Sequence, residues 1–154
     1  MQEVVDKTAS GHTQSDGPTD PGPAEQAFAS HAVVKSFLDD CVYGHHWENL
    51  GLYVSAERYD QHNPGVGDGI AGFGAAMKTM AEQGVTMAFD KTHRIVTDGS
   101  FVFVHSSGTF GGKNVAFADL MRVDGGKIVE HWDAIQSTGA TNHSGHDMFK
   151  QVTQ

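Results

Sequence analysis

The spacing of hydrophobic residues changes once along this chain, near residue 85. Before that point, apolar residues recur every three or four positions, which is typical of helices that bury one face. This spacing predicts three helices, over residues 24–43, 46–53 and 70–83. Between the last two, residues 58–64 form a short extended piece that ends at Pro64, because the residue before a proline disfavours the helical conformation.

From Val85 onward, apolar and polar residues alternate, which is the pattern of strands with one buried face. The alternation predicts four strands, over residues 86–97, 101–110, 114–123 and 127–136. Asp98-Gly99 and Asp124-Gly125-Gly126 are turn signals between neighbouring strands. Helices followed by an antiparallel meander predict an α+β fold with the helices on one face of an antiparallel sheet.

The two ends of the chain have a different composition from its middle. Residues 1–23 contain almost no large apolar side chains, so we expect a disordered or loosely packed tail there. Residues 138–154 read as a polar C-terminal tail, which leaves residues 24–137 as the folded domain.

Composition narrows the classes of function. The net charge of −9 disfavours partners such as nucleic acid and anionic membranes, and it leaves a small neutral molecule as the expected ligand. The single cysteine, Cys41, excludes an internal disulfide and a cysteine-based zinc site, and it is expected to be a buried apolar residue. Without an apolar stretch of membrane-spanning length or a signal-like N-terminus, we expect a cytoplasmic protein.

A curved sheet closed by helices leaves a pocket on its concave side, lined by apolar residues and a few polar ones. In the last strand, His131 and Asp133 share one face with Val129 and Ile135, while Trp132 lies on the other. Burial would raise the pKa of the Asp133 carboxyl, which suits a general acid or base. The opposite face of this strand also carries both apolar and polar residues, so the sequence leaves open which face lines the pocket.

The residue opposite His131 depends on the length of the preceding turn. A two-residue turn at Gly125-Gly126 places Leu120 there, and a three-residue loop that includes Asp124 places Asp119 there. A facing Asp119 carboxylate would fix the tautomer of the imidazole and raise its basicity. The sequence leaves both registers open.

Eight of the remaining histidines fall into three groups. His62 and His105 are candidates for the pocket wall, whereas His93 is expected to be structural. Five others have no constellation of reactive residues around them and are expected to face solvent: His12, His45, His46, His143 and His146. Trp132 is expected in the core or at a dimer interface, and it is also a candidate ligand contact.

Two motifs resemble those of a known family. Tyr59-Asp-Gln-His-Asn-Pro64 precedes a glycine-rich turn, and Arg122-Val-Asp-Gly-Gly-Lys-Ile-Val-Glu-His-Trp-Asp133 is followed by Gln136. Together they resemble SnoaL-like polyketide cyclases of the nuclear transport factor 2-like superfamily. The similarity is greatest to the bacterial branch assigned to SnoaL-like aldol condensation, and it covers about residues 25–137.

The resemblance implies a cone-shaped domain that commonly forms a homodimer through the open face of its sheet. It also implies cyclisation by aldol condensation without a metal or an organic cofactor. By position, Asp133 becomes the acid/base, Asp119 and His131 its supporting pair, and His62 a donor from the opposite wall. Tyr59, Asn63, His105 and Trp132 are the candidate ligand-binding residues.

Three functions therefore stay open. The first is a cofactor-independent acid/base enzyme acting on a small carbonyl compound, as an aldol-type cyclase, an isomerase or a dehydratase. The second is a non-enzymatic binder of a small apolar ligand. The third is a metal-dependent variant in which His62, His105 and His131 bind zinc or iron with a carboxylate, although no paired-histidine spacing supports it.

Overall fold

The computed structural model describes residues 9–139 and 142–149, so the tails predicted at 1–23 and 138–154 lie partly outside the described residues. Helix α1, Ala27–Phe37, continues as a π-helix over Leu38–Tyr43. A 3-10 turn at Trp47–Asn49 leads into helix α2, Leu50–Tyr53, and helix α3 spans Gly69–Glu82. All three predicted helices are confirmed. None of the helices in the described ranges is long and apolar enough to cross a membrane.

Five strands form one sheet in the order β1-β5-β4-β3-β2. Their bounds are Asp60–Gln61, Met87–Asp98, Phe101–Phe110, Lys113–Asp124 and Lys127–Ser137 for β1 to β5. Strands β2 to β5 are the predicted antiparallel meander, but β1 runs parallel to β5, with Gln61 beside His131. The α+β class is confirmed, and the sheet is mixed and open rather than purely antiparallel.

The core lies between α1 and one face of the sheet, which we call the inner face. Val34 and Cys41 from the helical side are fully buried against sheet residues such as Val102 and Ile128. Cys41 is thus the buried apolar residue that the sequence predicted. The opposite side of the sheet is the outer face.

A β-bulge at Val129 fixes the register of the last hairpin. Val123 pairs with Ile128 while Arg122 pairs with Glu130, so Val129 has no partner on β4. The turn is the two-residue type, but the bulge shifts the register by one residue, which brings Met121 opposite His131. Neither Leu120 nor Asp119, the two residues considered opposite His131, is therefore its cross-strand neighbour. The bulge also changes the faces, because Ile128 joins the inner core and the buried Val129 does not.

Two further features frame the inner face. Helix α3 buries none of its side chains completely, and Ile70 and Phe73 are only half-buried where they pack against the core. Strand β2 is the free edge of the sheet, and its register shifts twice, between Phe89 and Lys91 and between Thr92 and Arg94.

Candidate active site

Three ionisable side chains meet on the inner face of β4 and β5. Asp119 on β4 lies opposite Asp133 on β5, and His131 stands two residues before Asp133 on the same face. The Nε2 atom of His131 lies 3.0 Å from Oδ1 of Asp119. One ligand atom from each of the three residues lies within 4.8 Å of the others. The sequence-predicted trio of Asp119, His131 and Asp133 is therefore brought together.

Gln61 completes the surroundings of the His131 ring. The parallel pairing of β1 with β5 sets Gln61 beside His131, and its Oε1 atom lies 3.1 Å from the ring Nδ1. Both ring nitrogens thus face an acceptor oxygen, which suits an imidazolium that donates two hydrogen bonds. Burial works to lower the pKa of His131, but the hydrogen bond to Asp119 and the charges of Asp133 and Asp119 outweigh it, and the pKa is raised.

Asp133 is held by Asn63, whose Nδ2 atom lies 2.8 Å from Oδ1 and 2.7 Å from Oδ2. Burial raises the pKa of the Asp133 carboxyl above its ordinary range, and the charge of Asp119 adds to this effect. The charge of His131 and the hydrogen bond from Asn63 work in the opposite direction without cancelling it. The result is an oriented carboxylate that is a stronger base than an exposed aspartate.

Tyr59 supplies a neutral hydroxyl to the same region. Its side chain is buried, and burial, followed by the charge of Asp119, raises the pKa of its phenol. The side-chain hydrogen bond with Gln61 lowers this pKa, and the charge of Asp133 adds to the upward shift. A phenol with a raised pKa keeps its proton and is a hydrogen-bond donor over the physiological pH range.

His62 does not join this cluster. Its ring lies on the other side of β5, where Nε2 is 3.0 Å from Oε1 of the buried Glu130 and the ring stacks on Trp132. Neighbouring residues of an extended segment point to opposite sides, so Gln61 and Asn63 face His131 and Asp133 while His62 faces away. The expected donor role of His62 in the pocket is thus not supported, and Gln61 occupies the place beside His131.

Two candidate ligand contacts also lie on the outer face. His105 pairs across the sheet with Ala118, on the face opposite the buried Val104 and Ser106, and its Nδ1 lies 3.2 Å from Nη1 of Arg94. Trp132 pairs with Leu120 on the same outer face. The inward orientation considered for His105 is therefore wrong, whereas Tyr59 and Asn63 do reach the cluster.

The other histidines are largely where the sequence placed them. His93 contacts Ser107 and stacks on Phe149 of the C-terminal segment, as a structural residue would. His45, His46, His143 and His146 are exposed. His12 is the exception, because its ring lies 3.2 Å from Asp68 and packs against His62.

The histidine set considered for zinc or iron is not assembled. Within the described residues, the hydrogen bonds of His62, His105 and His131 go to different partners, and only His131 lies on the inner face. Among the described residues, two groups have the geometry for a divalent cation: His12 with Asp60 and Asp68, and, on the inner face, Asp119 with His131 and Asp133. A cation there would have to replace the His131–Asp119 hydrogen bond.

A surface cleft of about 420 Å³ lies elsewhere, between α1 with its π-helical extension and strand β2. Its lining includes Lys35, Asp39, Tyr43 and residues 90–95, and none of the clustered side chains. The cleft is therefore separate from the inner-face cluster, where the ionisable groups converge.

The cluster has the parts of an acid/base centre. Asp133 offers an oriented carboxyl with a raised pKa, Tyr59 offers a phenol with a raised pKa, and His131 is an imidazole with a raised pKa beside Asp119. Enolisation of a carbonyl compound needs such a base and a donor for the developing oxyanion.

Comparison with known proteins gives one family. The profile described as SnoaL-like domain matches residues 20–131, which include Tyr59, Asn63, Asp119 and His131. A comparison with curated protein sequences gives no significant match.

Solved structures show the same fold. A candidate ketosteroid isomerase from Kribbella flavida DSM 17836 aligns with a TM-score of 0.59 and 15% identity, over 84% of this chain and 93% of that one. A SnoaL-like polyketide cyclase from Agrobacterium tumefaciens strain C58 aligns with a TM-score of 0.53 and 14% identity, over 70% of this chain and 91% of that one. A nuclear transport factor 2-like protein of unknown function from Mesorhizobium loti aligns with a TM-score of 0.51 and 19% identity, over 79% and 98%. At these identities the likeness establishes the fold, which hosts several activities.

Proposed function

We propose that this chain, which belongs to the SnoaL-like domain family, has a cofactor-independent acid/base centre in its inner-face cluster. Its substrate is a small carbonyl compound, which it enolises as an aldol-type cyclase, an isomerase or a dehydratase. The observation that carries the proposal is Asp133, whose carboxyl has a raised pKa and is oriented by Asn63 through both oxygens.

The proposed reaction starts with proton transfer. Asp133 takes a proton from the carbon next to the substrate carbonyl, and the electrons of that C–H bond form an enolate. The Tyr59 hydroxyl donates a hydrogen bond to the enolate oxygen, and the positive charge of His131 offsets the negative charge that forms. In an aldol closure, the enolate carbon then bonds to a second carbonyl carbon of the substrate. The proton held by Asp133 passes to the new alkoxide, which restores the carboxylate.

The surroundings support a small, neutral and largely apolar substrate. Helix α3 packs against the core through apolar residues that stay half-exposed, such as Ile70 and Phe73. A helix in a packed core would bury such residues, whereas one that closes a ligand cavity leaves them available. The net charge of −9 works against anionic substrates.

Hydrogen–deuterium exchange tests this proposal without knowledge of the natural substrate. The protein is incubated in D2O with enolisable cyclic ketones such as 2-tetralone, and deuterium incorporation is followed by proton NMR. We expect wild-type protein to accelerate exchange, and Asp133→Asn to lose about a hundredfold of that acceleration. The matched control is Asp124→Asn in the exposed β4–β5 turn, which should keep the wild-type rate. Equal acceleration by the wild type and Asp133→Asn would contradict the proposal.

A metal-dependent activity is the second candidate, because Asp119, His131 and Asp133 offer ligand atoms within 4.8 Å of one another. Titration with zinc separates it from the first. Metal-dependent exchange, together with stoichiometric shifts of the His131 ring signals, would favour the metal. Ligand-induced shifts of the Asn63 amide without any exchange would favour a carrier of small apolar ligands.

We also propose that two copies pair through the outer face. Three apolar residues lie side by side across the sheet, one from each of β2 to β4: Val96, Phe103 and Leu120. Trp132 of β5 continues this row, but residues 16–17 cover its indole. Val96 is 60% exposed, although it is a large apolar residue on this row. Apolar rows of this kind are typical of homodimer interfaces.

A further inference from the structure

The N-terminal segment 9–17, which we call the strap, is attached to the part of the chain that supplies two site residues. The backbone N–H of Ala9 donates to the carbonyl oxygen of Pro64 at 3.0 Å, and the hydroxyl of Ser10 donates to the carbonyl oxygen of Gln61. The strap therefore holds the segment from Gln61 to Pro64 at both of its ends.

His62 is the point where this segment and the strap are joined most closely. The residue is 2% exposed, and its Nδ1 lies 2.6 Å from the carbonyl oxygen of Thr13 and 2.9 Å from Oδ1 of Asp16. On the other side of the ring, Nε2 faces Glu130, whose second oxygen accepts a hydrogen bond from Arg122 at 2.7 Å. The buried carboxylate of Glu130 thus depends on both His62 and Arg122, because a buried charge without all of its partners destabilises the fold.

Trp132 provides the surface on which the strap rests. Its indole stacks on the His62 ring with centroids 4.6 Å apart and planes 9° apart, and its Nε1 donates to the carbonyl oxygen of Asp16 at 2.9 Å. Gly17 then passes directly over Trp132 and Glu130. His62, Glu130 and Trp132 are therefore all covered by residues of the strap.

The orientation of His62 determines where its neighbours point. Because side chains alternate along an extended segment, a His62 ring fixed on the outer side aims Gln61 and Asn63 at the inner side. There, Gln61 contacts His131 and Asn63 holds both oxygens of Asp133.

We infer that the strap and His62 are positioning elements of the inner-face site, which act through the aim of Gln61 and Asn63. The inference rests on the proposed function for its catalytic consequence, but the positioning itself is a structural claim. His62 is therefore a positioning residue, distinct from the pocket donor that the sequence suggested.

Gly17 allows the strap to be displaced without altering any group of the site. It has φ +113°, and an added Cβ would lie 2.7 Å from Cζ2 of Trp132 and 2.8 Å from Oε1 of Glu130. Gly17→Ala therefore lifts the strap by steric clash and by backbone strain. Gly22→Ala is the matched control, because Gly22 has φ +72° and its added Cβ would meet only Gln26 Oε1, at 3.7 Å.

The test has two readouts on the full-length chain. The first is the titration of the Asp133 carboxyl, followed by carbon-13 NMR. Since the hydrogen bond from Asn63 lowers the pKa of Asp133, we expect Gly17→Ala to raise that pKa and Gly22→Ala to leave it unchanged. The second is ketone exchange, where Gly17→Ala should lower kcat about tenfold at a similar KM, because misaligned groups slow the step without removing binding contacts.

The two readouts separate the failure of this inference from the failure of the proposed function. If wild-type protein exchanges no ketone, the Asp133 titration still tests the positioning. The inference is overturned if Gly17→Ala shifts the Trp132 indole N–H signal, which shows that the strap has moved, while Asp133 titrates as in the wild type. Should Gly17→Ala fail to fold, Asp16→Asn weakens the same attachment by removing the charge that faces His62, and the same shift in Asp133 is expected.

Discussion

Asp119 and Asp133 lie directly opposite each other on β4 and β5, and His131 lies beside both. Two carboxylates in this arrangement repel each other, and burial disfavours the charged form of a carboxyl group. The imidazolium of His131 offsets that repulsion by binding Asp119 and by lowering the pKa of Asp133 through its charge. The three residues therefore act as a unit, and a change in Asp119 is expected to appear in the titrations of His131 and Asp133.

The first prediction concerns the pKa of His131. Asp119→Asn removes the hydrogen bond and the charge that raise it, so the pKa of His131 should fall. A raised pKa stabilises the fold below the ordinary value of 6.5, and that contribution is lost as pH rises through the folded-state pKa. Wild-type stability should therefore decline above pH 6.5, and Asp119→Asn should reduce that decline. Histidine ring NMR and urea unfolding at several pH values measure both effects, with Asp124→Asn as the control.

The second prediction concerns the stability cost of Asp133. Because its pKa is raised in the folded state, ionisation of Asp133 destabilises the fold as pH rises above its ordinary value of 3.8. Asparagine has nearly the same shape as aspartate and does not ionise. The Asp133→Asn variant should therefore gain stability relative to the wild type as pH rises above 3.8. Thermal unfolding between pH 3 and pH 8 measures the difference. A difference that stays constant over this range would contradict the raised pKa.

The third prediction compares two glycines of α3. A Cβ on Gly72 would overlap with the backbone carbonyl of Gly67, whereas a Cβ on Gly74 meets nothing within 4 Å. We expect Gly72→Ala to destabilise the protein by about 1–3 kcal/mol, because α3 must move away from the preceding loop. Gly74→Ala should stabilise it by about 0.5–1 kcal/mol through helix propensity. Urea unfolding of the two variants gives both values.

The fourth prediction tests the outer-face dimer. Phe103→Glu places a charge in the middle of the apolar row, so it should convert a dimer into a monomer. Sedimentation velocity distinguishes the two states, since one chain has a mass of 16.5 kDa. Thr109→Glu, farther along β3 and outside that row, should leave the dimer intact. A wild-type protein that sediments as a monomer would refute the proposed pairing.

Much of the fold could be predicted from the sequence, because the pattern of apolar residues is local. The strands β2 to β5 lie within one residue of their predicted bounds, and the turn at Gly125-Gly126 has the shorter of the two lengths that the sequence left open. The parallel pairing of β1 with β5 was not predictable in this way. It joins a strand of two residues to one about 70 positions later, and so short a strand carries no periodic pattern.

The site was predicted less completely, for two physical reasons. The bulge at Val129 depends on the packing of Ile128 into the core, and a single unpaired residue changes every pairing beyond it. The second reason is that His62 was assigned to the pocket because of its side-chain chemistry and not because of its place in the strand alternation. Tyr59, Gln61 and Asn63 are separated by two positions each, so strand alternation alone would have grouped them on one side and excluded His62.

The two register shifts of β2 have a consequence for the protein in concentrated solution. An exposed sheet edge with an unbroken row of N–H and C=O groups is a template on which further chains add and grow into fibrils. The shifts at Phe89–Lys91 and Thr92–Arg94 interrupt that row, and they place the charges of Lys91 and Arg94 beside the interruptions. The open edge of this sheet is thereby protected against aggregation by its own irregularity.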